Sequence, residues 1–438
     1  MKGKRMMLVL PMVFILLIGW LLTMQTMTGT ESKKKQNELK AQADIYAEKE
    51  LYIRAIPLYE EALVYETDLN NEIENALLEC YKSYGDTESY KKLAELRINE
   101  ARATEHEYIT VANYYISSYK LDEAMDVVKK GMDKLDSEVL KEYFEANRYA
   151  YTMKISRYDD IMPTDDNQLM PAFDGEKWGY VNSSGRLELQ AVYDTVTPFN
   201  SLGYAVVSQE GKYYTITNTG AKYGVDEVGV TDVYRVTNRH ILAQVSGKYS
   251  YYNFDFECVA QTHQYDQITA NACGLAAVKS GEKWGIITDA GEKVVDFILE
   301  DVAVNSLGAV FTNNVAMVKM DGLWYLIDTT GAKVSDIGFA NAKAPESDGY
   351  IAVANQEGLW GFIDQKGEAV ILYQYSDALS FSNHLGAVKS VDNWGYISES
   401  NVLVIEEELL DAQPFHNGIA QAKFIDGEAI ITLSYFEE

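Results

Sequence analysis

The residue types best suited to chemistry near neutral pH are the five histidines, His106, His240, His263, His384 and His416, since imidazoles ligate metals and move protons. None stands at a metal-ligand spacing from another, and no His-Glu-x-x-His segment occurs. His263 falls between Cys258 and Cys273. That grouping would suit a thiol or metal centre, but the spacing matches no ligand pattern and is expected to be repeat filler. There is no Gly-x-Ser-x-Gly nucleophile elbow and no phosphate-cradling glycine loop. Carboxylate pairs such as Asp159-Asp160 and Asp165-Asp166 are numerous, yet acid and base roles require a separation that sequence alone does not set. No Asp-x-Asp-x-Asp-Gly calcium loop is present. The chain is therefore expected to hold no catalytic residues, no metal and no cofactor, and not to be an enzyme.

The elements around these residues follow from composition and periodicity. At 438 residues, 47% apolar and 24% charged, the chain has room for two to three globular domains. Its formal net charge of -28 argues against nucleic acid as a partner, because phosphate binding needs a basic face. Three cysteines cannot build a disulfide scaffold.

Residues 6–24 form an apolar run without a charge, preceded by Lys2, Lys4 and Arg5. As a helix the run would span roughly 28 Å, close to the hydrocarbon thickness of a bilayer. Residues 1–30 are therefore expected to be a short cytoplasmic tail and a transmembrane signal anchor. A cleaved signal peptide is the alternative, although Gln25-Thr26-Met27 fits a small-x-small cleavage site poorly. Lys33, Lys34, Lys35 and Lys40 flank the far end, so charge alone sets no orientation. The shortness of the tail favours export of the bulk of the chain. The expected location is the cell membrane, single-pass, with that bulk extracytoplasmic.

Residues 31–155 are expected to be helical. Small and aromatic residues recur at helical-hairpin spacing around Ala55-Tyr59-Ala62, Ala76-Tyr81-Tyr90 and Ala112-Tyr115-Ala124, at an interval of about 35 residues. The stretch 41–135 resembles tetratricopeptide repeats, although the Trp-Leu-Gly positions of that pattern are missing. A generic helical bundle is the alternative. The resemblance implies a concave groove for a peptide or protein. Cys80, between Leu77 and Tyr81, is expected to be packing.

From residue 156 onward the pattern changes to short β segments. Lys177-Trp178-Gly179-Tyr180, Lys283-Trp284-Gly285-Ile286, Leu359-Trp360-Gly361-Phe362 and Asn393-Trp394-Gly395-Tyr396 are the clearest copies of one unit. Tyr213-Tyr214, Tyr249-Ser250 and Trp324-Tyr325 are degenerate copies, and a last one at Ala429-Ile430 lacks the aromatic. The successive intervals are about 35, 36, 35, 40, 36, 34 and 35 residues. Each unit has a segment ending in a glycine turn, such as Ser280-Gly281, then the Trp-Gly strand, a second glycine and a third strand. It closes on Tyr-Asp, as at Tyr193-Asp194 and Tyr265-Asp266, often before Pro-Phe or Ser-Phe.

On these residues the chain resembles the WG-repeat (KWG-repeat) proteins over residues 158–438, and that resemblance implies a binding or interaction role, not an activity. The tryptophans are expected to pack between neighbouring sheets and each following glycine to admit a neighbouring backbone. The structural motif is Trp178, Gly179, Trp284, Gly285, Trp324, Trp360, Gly361, Trp394 and Gly395. A row of exposed tryptophans stacking sugars is the alternative.

The fold class expected is multi-domain α + all-β. It comprises one transmembrane helix, tetratricopeptide-like repeats, and over 156–438 a seven- to eight-bladed propeller or, alternatively, an open β-solenoid. From residue 158 the chain carries 40 acidic and 16 basic side chains, net -24, which reads as solubility or as steering of cations and basic peptides. The expected function is non-enzymatic protein binding or scaffolding at the bacterial cell envelope, with protein or peptide partners and the membrane through the N-terminal segment. The alternatives are a cell-wall glycan-binding module and a glycan-active enzyme with paired carboxylates at the propeller mouth.

Overall fold

The computed structural model describes residues 29–163, 169–260 and 265–436. The chain divides into two compact units, Met1–Arg148 and Tyr149–Glu438.

In the first unit the described residues form seven helices: α1 Gly29–Ala47, α2 Tyr52–Leu63, α3 Asn70–Tyr84, α4 Thr87–Asn99, α5 Glu105–Ser117, α6 Leu121–Leu135 and α7 Glu138–Asn147. Local chemistry sets their ends. The Asp86 carboxylate accepts from the Ser89 N–H and starts α4, and Ser137 Oγ accepts from the Leu140 N–H at α7. Thr104 and Glu107 form a reciprocal capping box at α5, and Gly85, left-handed at φ 85°, ends α3. Ala43, Ala55, Ala62, Ala94, Ala112 and Ala124 are fully buried, so the helices pack closely. Arg97 is buried among them, its Nε 2.7 Å from Glu107 and its Nη1 donating to Asn75 at 2.7 Å. Cys80 is buried, and burial pushes its thiol up to about 11.

The second unit is a ring of eight antiparallel sheets, an eight-bladed β-propeller. Blades 1 to 8 occupy residues 160–193, 195–225, 230–260, 267–299, 301–328, 341–375, 377–409 and 411–433. Six of them are four-stranded meanders in chain order, with exposed residues alternating along the long fourth strand of blade 1, and blade 8 is four-stranded with one strand from the start of the unit. Blade 5 has three regular strands. The core is distributed between blades. Each tryptophan from Trp284 onward sits in a cluster that also draws on the following blade, as Trp394 does with Phe415, Ala420 and Ile431.

Three expectations need correction. The open solenoid is excluded, because Tyr151–Ile155 pairs antiparallel with Gly427–Leu433, Tyr151 against Leu433 and Lys154 against Ile430. Blade 8 thus takes its fourth strand from the start of the unit, and no sheet edge is left at the seam. Residues 151–155, expected with the helices, belong to the propeller for this reason. Finally, the expected architecture included a membrane-crossing helix. Among the described residues no helix is long and apolar enough to cross a membrane. The longest, α1 at 19 residues, carries Glu31, Lys33, Lys34, Lys35, Glu38 and Lys40. The apolar run at residues 6–24 lies outside the described residues.

Candidate functional site

The Trp-Gly motif occupies one register position in every blade, the start of the third strand. Trp178, Trp284, Trp360 and Trp394 lie opposite Phe173, Lys279, Ala354 and Lys389 of the second strand. On their other side the ladder is irregular. Trp284 pairs with Leu299 but Ile286 pairs with Val295, so two steps on the third strand face four on the fourth. Trp178, Trp360 and Trp394 show the same offset. The fourth strand therefore bulges over the residue between, and that residue is glycine. A Cβ on Gly179, Gly285, Gly361 or Gly395 would lie 2.7, 2.9, 2.6 or 2.5 Å from a fourth-strand carbonyl oxygen. The tryptophans beside them are packed: Trp284, Trp324, Trp360 and Trp394 are 6–8% exposed, and Trp178 is half-buried against Phe173. Such a row offers no stacking face for sugars.

Where the glycine is absent, the facing strand is arranged differently. In blade 8 the fourth strand is Tyr151–Ile155, whose ladder has no bulge. The position is filled by Ala429, fully buried, and register puts Glu428 where the other blades carry an aromatic. In blade 5 Tyr325 replaces the glycine, and Gly338 on the facing segment yields the space. A Cβ there would lie 3.0 Å from the Tyr325 ring. Lys333 in blade 5 and Lys222 in blade 2 place their ammonium groups 3.3 and 3.5 Å over Tyr325 and Tyr214.

The closing Tyr-Asp element staples blades. Asp194 pairs with Lys177 of blade 1 and accepts from the Glu210 N–H at 2.9 Å in blade 2. Asp266 likewise joins Lys248 of blade 3 to the Gly281 N–H at 2.8 Å in blade 4. With the motif committed to structure, the loops between first and second strands are the surfaces left to vary.

Those loops meet at one end of the ring and hydrogen-bond from blade to blade. Asn200 Nδ2 donates to the Thr237 carbonyl at 2.7 Å, Ser382 Oγ to the Phe415 carbonyl at 2.5 Å, and the Gly418 N–H to Asn383 at 2.9 Å. Blade 5 is the exception in length. Its loop from Val302 to Val315 has 12 residues between strands, against 6 in blades 4, 7 and 8. The extra residues reach across the axis. Ser306 accepts from Arg235 of blade 3 through its carbonyl at 3.2 Å, and its N–H donates to Glu346 of blade 6 at 2.9 Å. Its Oγ stands 2.8 Å from Glu346 and 2.6 Å from His416 Nε2 of blade 8. One residue touching blades 3, 6 and 8 must lie near the axis, so this loop stoppers that end of the channel.

Ser306, His416 and Glu346 are hydrolase residue types, but the arrangement is not that of a triad. The carboxylate bonds the serine directly, and the Ser306 N–H, which an oxyanion hole would use, is given to Glu346. Sequence reasoning overlooked the cluster. Its only local signal is a polar residue after the repeat's buried phenylalanine, as in Phe199-Asn200, Phe381-Ser382 and Phe415-His416.

Glu346 is 7% exposed, and burial raises its carboxyl from 4.5 to about 7, against the opposing pull of Ser306 and Arg235. Asp348 adds to the rise. A raised folded pKa means that folding favours the protonated form. The stabilisation is complete below about 4.5 and is lost as pH climbs through about 7. Glu346→Gln is expected to be about 3 kcal/mol more stable relative to wild type at pH 8 than at pH 4.5. Urea unfolding at both pH values checks this, and a difference independent of pH would contradict it.

Beside the stopper a groove of about 920 Å³ crosses blades 2 to 5. Arg235, Arg239, His240, Tyr251, Cys273 and Asp289 line it, with apolar wall from Val259 and Leu307. His240 packs against the Tyr251 ring at 5.4 Å, and burial, helped by Arg239, holds its pKa below the usual range. Asp289 accepts from the Asn271 amide. The remaining candidates disperse: His384 faces Glu399 at 3.0 Å, His106 faces Lys82 at 3.1 Å, and Cys258 is exposed. His263 lies outside the described residues. Among the described residues no group of three metal-ligating side chains forms, and the groove's single carboxylate supplies no acid-base pair.

A family model described as "WG containing repeat" matches residues 178–213, 262–284, 284–324 and 360–393, which confirms the WG repeats of the propeller. No family match covers the helical unit, so the tetratricopeptide resemblance rests on residue spacing alone. No curated protein matches the sequence. Similar solved structures include one described as the eukaryotic initiation factor, at 11% identity over 64% of this chain and 86% of that one, TM-score 0.43. The WD40 domain of SCAP from fission yeast is similar at 6% identity over 65% and 98%, TM-score 0.39.

Proposed function

We propose that this chain is a non-enzymatic protein-binding scaffold whose propeller receives partners at its loop end. The observation that carries this is the groove across blades 2 to 5, at the end where the loops, unlike the motif, are free to vary. The charge-free run at residues 6–24 supports attachment to the cell membrane, and the five-residue tail before it supports a propeller outside.

Leu202, 60% exposed in the loop of blade 2, and Leu372, 74% exposed on the outer strand of blade 6, allow a direct test. With a photo-crosslinking residue at either position of the full chain in cells, a discrete partner adduct is expected from 202 and not from 372. The partner, purified, should then bind the full chain in solution. No adduct from 202, or equal adducts from both, would overturn the proposal. Protease accessibility of a C-terminal tag on intact cells tests the location. A protected tag would put the propeller inside.

A further inference from the structure

We infer that the groove over blades 2 to 5 takes a short acidic peptide segment of a partner protein, its carboxylates seated on Arg239 and Arg235. This rests on the protein-binding reading above and specifies its ligand.

The charge distribution selects the ligand. From residue 158 the chain has three arginines, Arg186, Arg235 and Arg239, in a body of net charge -24. Among the described residues, two of the three line this groove, no lysine does, and Asp289 is the one carboxylate in its lining. Two guanidiniums against one carboxylate make the groove locally positive in a strongly negative unit, and burial lowers the pKa of His240 beside them. Arg239 is 80% exposed, and its Nη1 stands 3.9 Å from Asp289, beyond hydrogen-bonding distance. Asp289 is meanwhile bonded to Asn271. A guanidinium so placed presents a planar fork that matches a carboxylate. Arg235 lies deeper and shares its guanidinium with the Ser306 carbonyl at 3.2 Å, which fixes its position at the groove's inner end. Gly308 makes this possible, since a Cβ there would lie 2.8 Å from Arg235 Cδ.

The surrounding charge also sets the ligand's limits. A polyanion would be repelled by the body of the propeller, so nucleic acid and long acidic tracts do not fit. Val259, 52% exposed, and Leu307, 39% exposed, offer apolar contact beside the arginines. The volume of about 920 Å³ lies in the upper part of the range for ligand pockets, roughly 300–1,000 Å³. A peptide with one or two carboxylates flanked by apolar side chains satisfies each of these features.

The test uses the full chain and fluorescence anisotropy of two dye-labelled, end-blocked peptides. One carries two glutamates flanked by leucine and phenylalanine, and the other has glutamine at both glutamate positions. The glutamate peptide is expected to bind at least tenfold more tightly. Arg239→Glu should abolish that preference, while Arg186→Glu, outside the groove, should keep it. Equal affinity for the two peptides, binding of neither, or a preference retained by Arg239→Glu would overturn the inference. Competition by free glutamate as effective as by the peptide would also overturn it, in favour of a small carboxylate ligand. If these results fail while the partner crosslinked at position 202 still binds both wild type and Arg239→Glu, only the groove assignment falls. If no partner is found at position 202, the scaffold reading falls with it.

Discussion

Gly395→Ala is expected to destabilise the propeller by about 3 kcal/mol, at the upper end of what overpacking costs. The added methyl would lie 2.5 Å from the Ile405 carbonyl oxygen and 3.0 Å from the Glu407 backbone nitrogen. Both are main-chain atoms of the bulged fourth strand, so no side-chain rotation relieves the clash. The strand must shift, and with it Leu409, fully buried in the cluster that joins blades 7 and 8. The gain from lower unfolded-state entropy, about 0.4–1 kcal/mol for Gly→Ala at an unstrained site, offsets only part of the cost. Ala429→Gly is the matched control, because blade 8 has no bulge at that position. It should lose about 1 kcal/mol or less. Urea unfolding followed by tryptophan fluorescence reads both. An unchanged midpoint for Gly395→Ala would mean that the bulge is not what requires the glycine.

Trp394→Ala is expected to cost about 3–5 kcal/mol, the range for removing a large buried aromatic. At 7% exposure Trp394 packs with Phe415, Ala420, Ala422 and Ile431 of blade 8 as well as with its own sheet. Its loss opens a cavity at the join where the N-terminal strand closes the ring. Trp178→Ala is expected to cost less than half as much, because Trp178 is only half-buried. Calorimetry of the two variants compares them directly. Equal losses would show that burial between blades is not the source of the effect.

These two substitutions bear on function through rigidity. The loops that form the stopper and groove are carried by blades whose spacing depends on the tryptophans and glycines, so a loosened join would displace Ser306, Glu346 and His416 relative to one another. The motif and the candidate site are thus separate sets of residues, one holding the ring and the other using its end.

The repeat, the short strands, the glycine turns and the packing role of the tryptophans were legible in the sequence, because they arise from local chemistry. Residue alternation, turn glycines and a fixed interval are properties of neighbouring residues, repeated until they stand out. The helical character of the stretch from Gly29 to Asn147 was legible for the same reason, from small and aromatic residues at helical spacing, whereas the caps at Asp86, Thr104 and Ser137 emerged only from the structure. The choice between ring and solenoid was not local. It turned on Tyr151–Ile155 pairing with Gly427–Leu433, a contact that nothing within either segment announces. The one-residue misplacement of the last copy, at Ala429-Ile430, came from the missing aromatic, and only cross-strand register showed that Glu428 holds the tryptophan position. The candidate site was the least visible of all. The interval of 40 residues marked an insertion in blade 5 but gave no hint of where it goes. Ser306 meets His416 across 110 residues of sequence, and Arg239 becomes significant only when the ring gathers few cations and one carboxylate into a single groove. Curvature and closure of the ring decide such proximities, and they are summed over all eight blades, not written in any one of them.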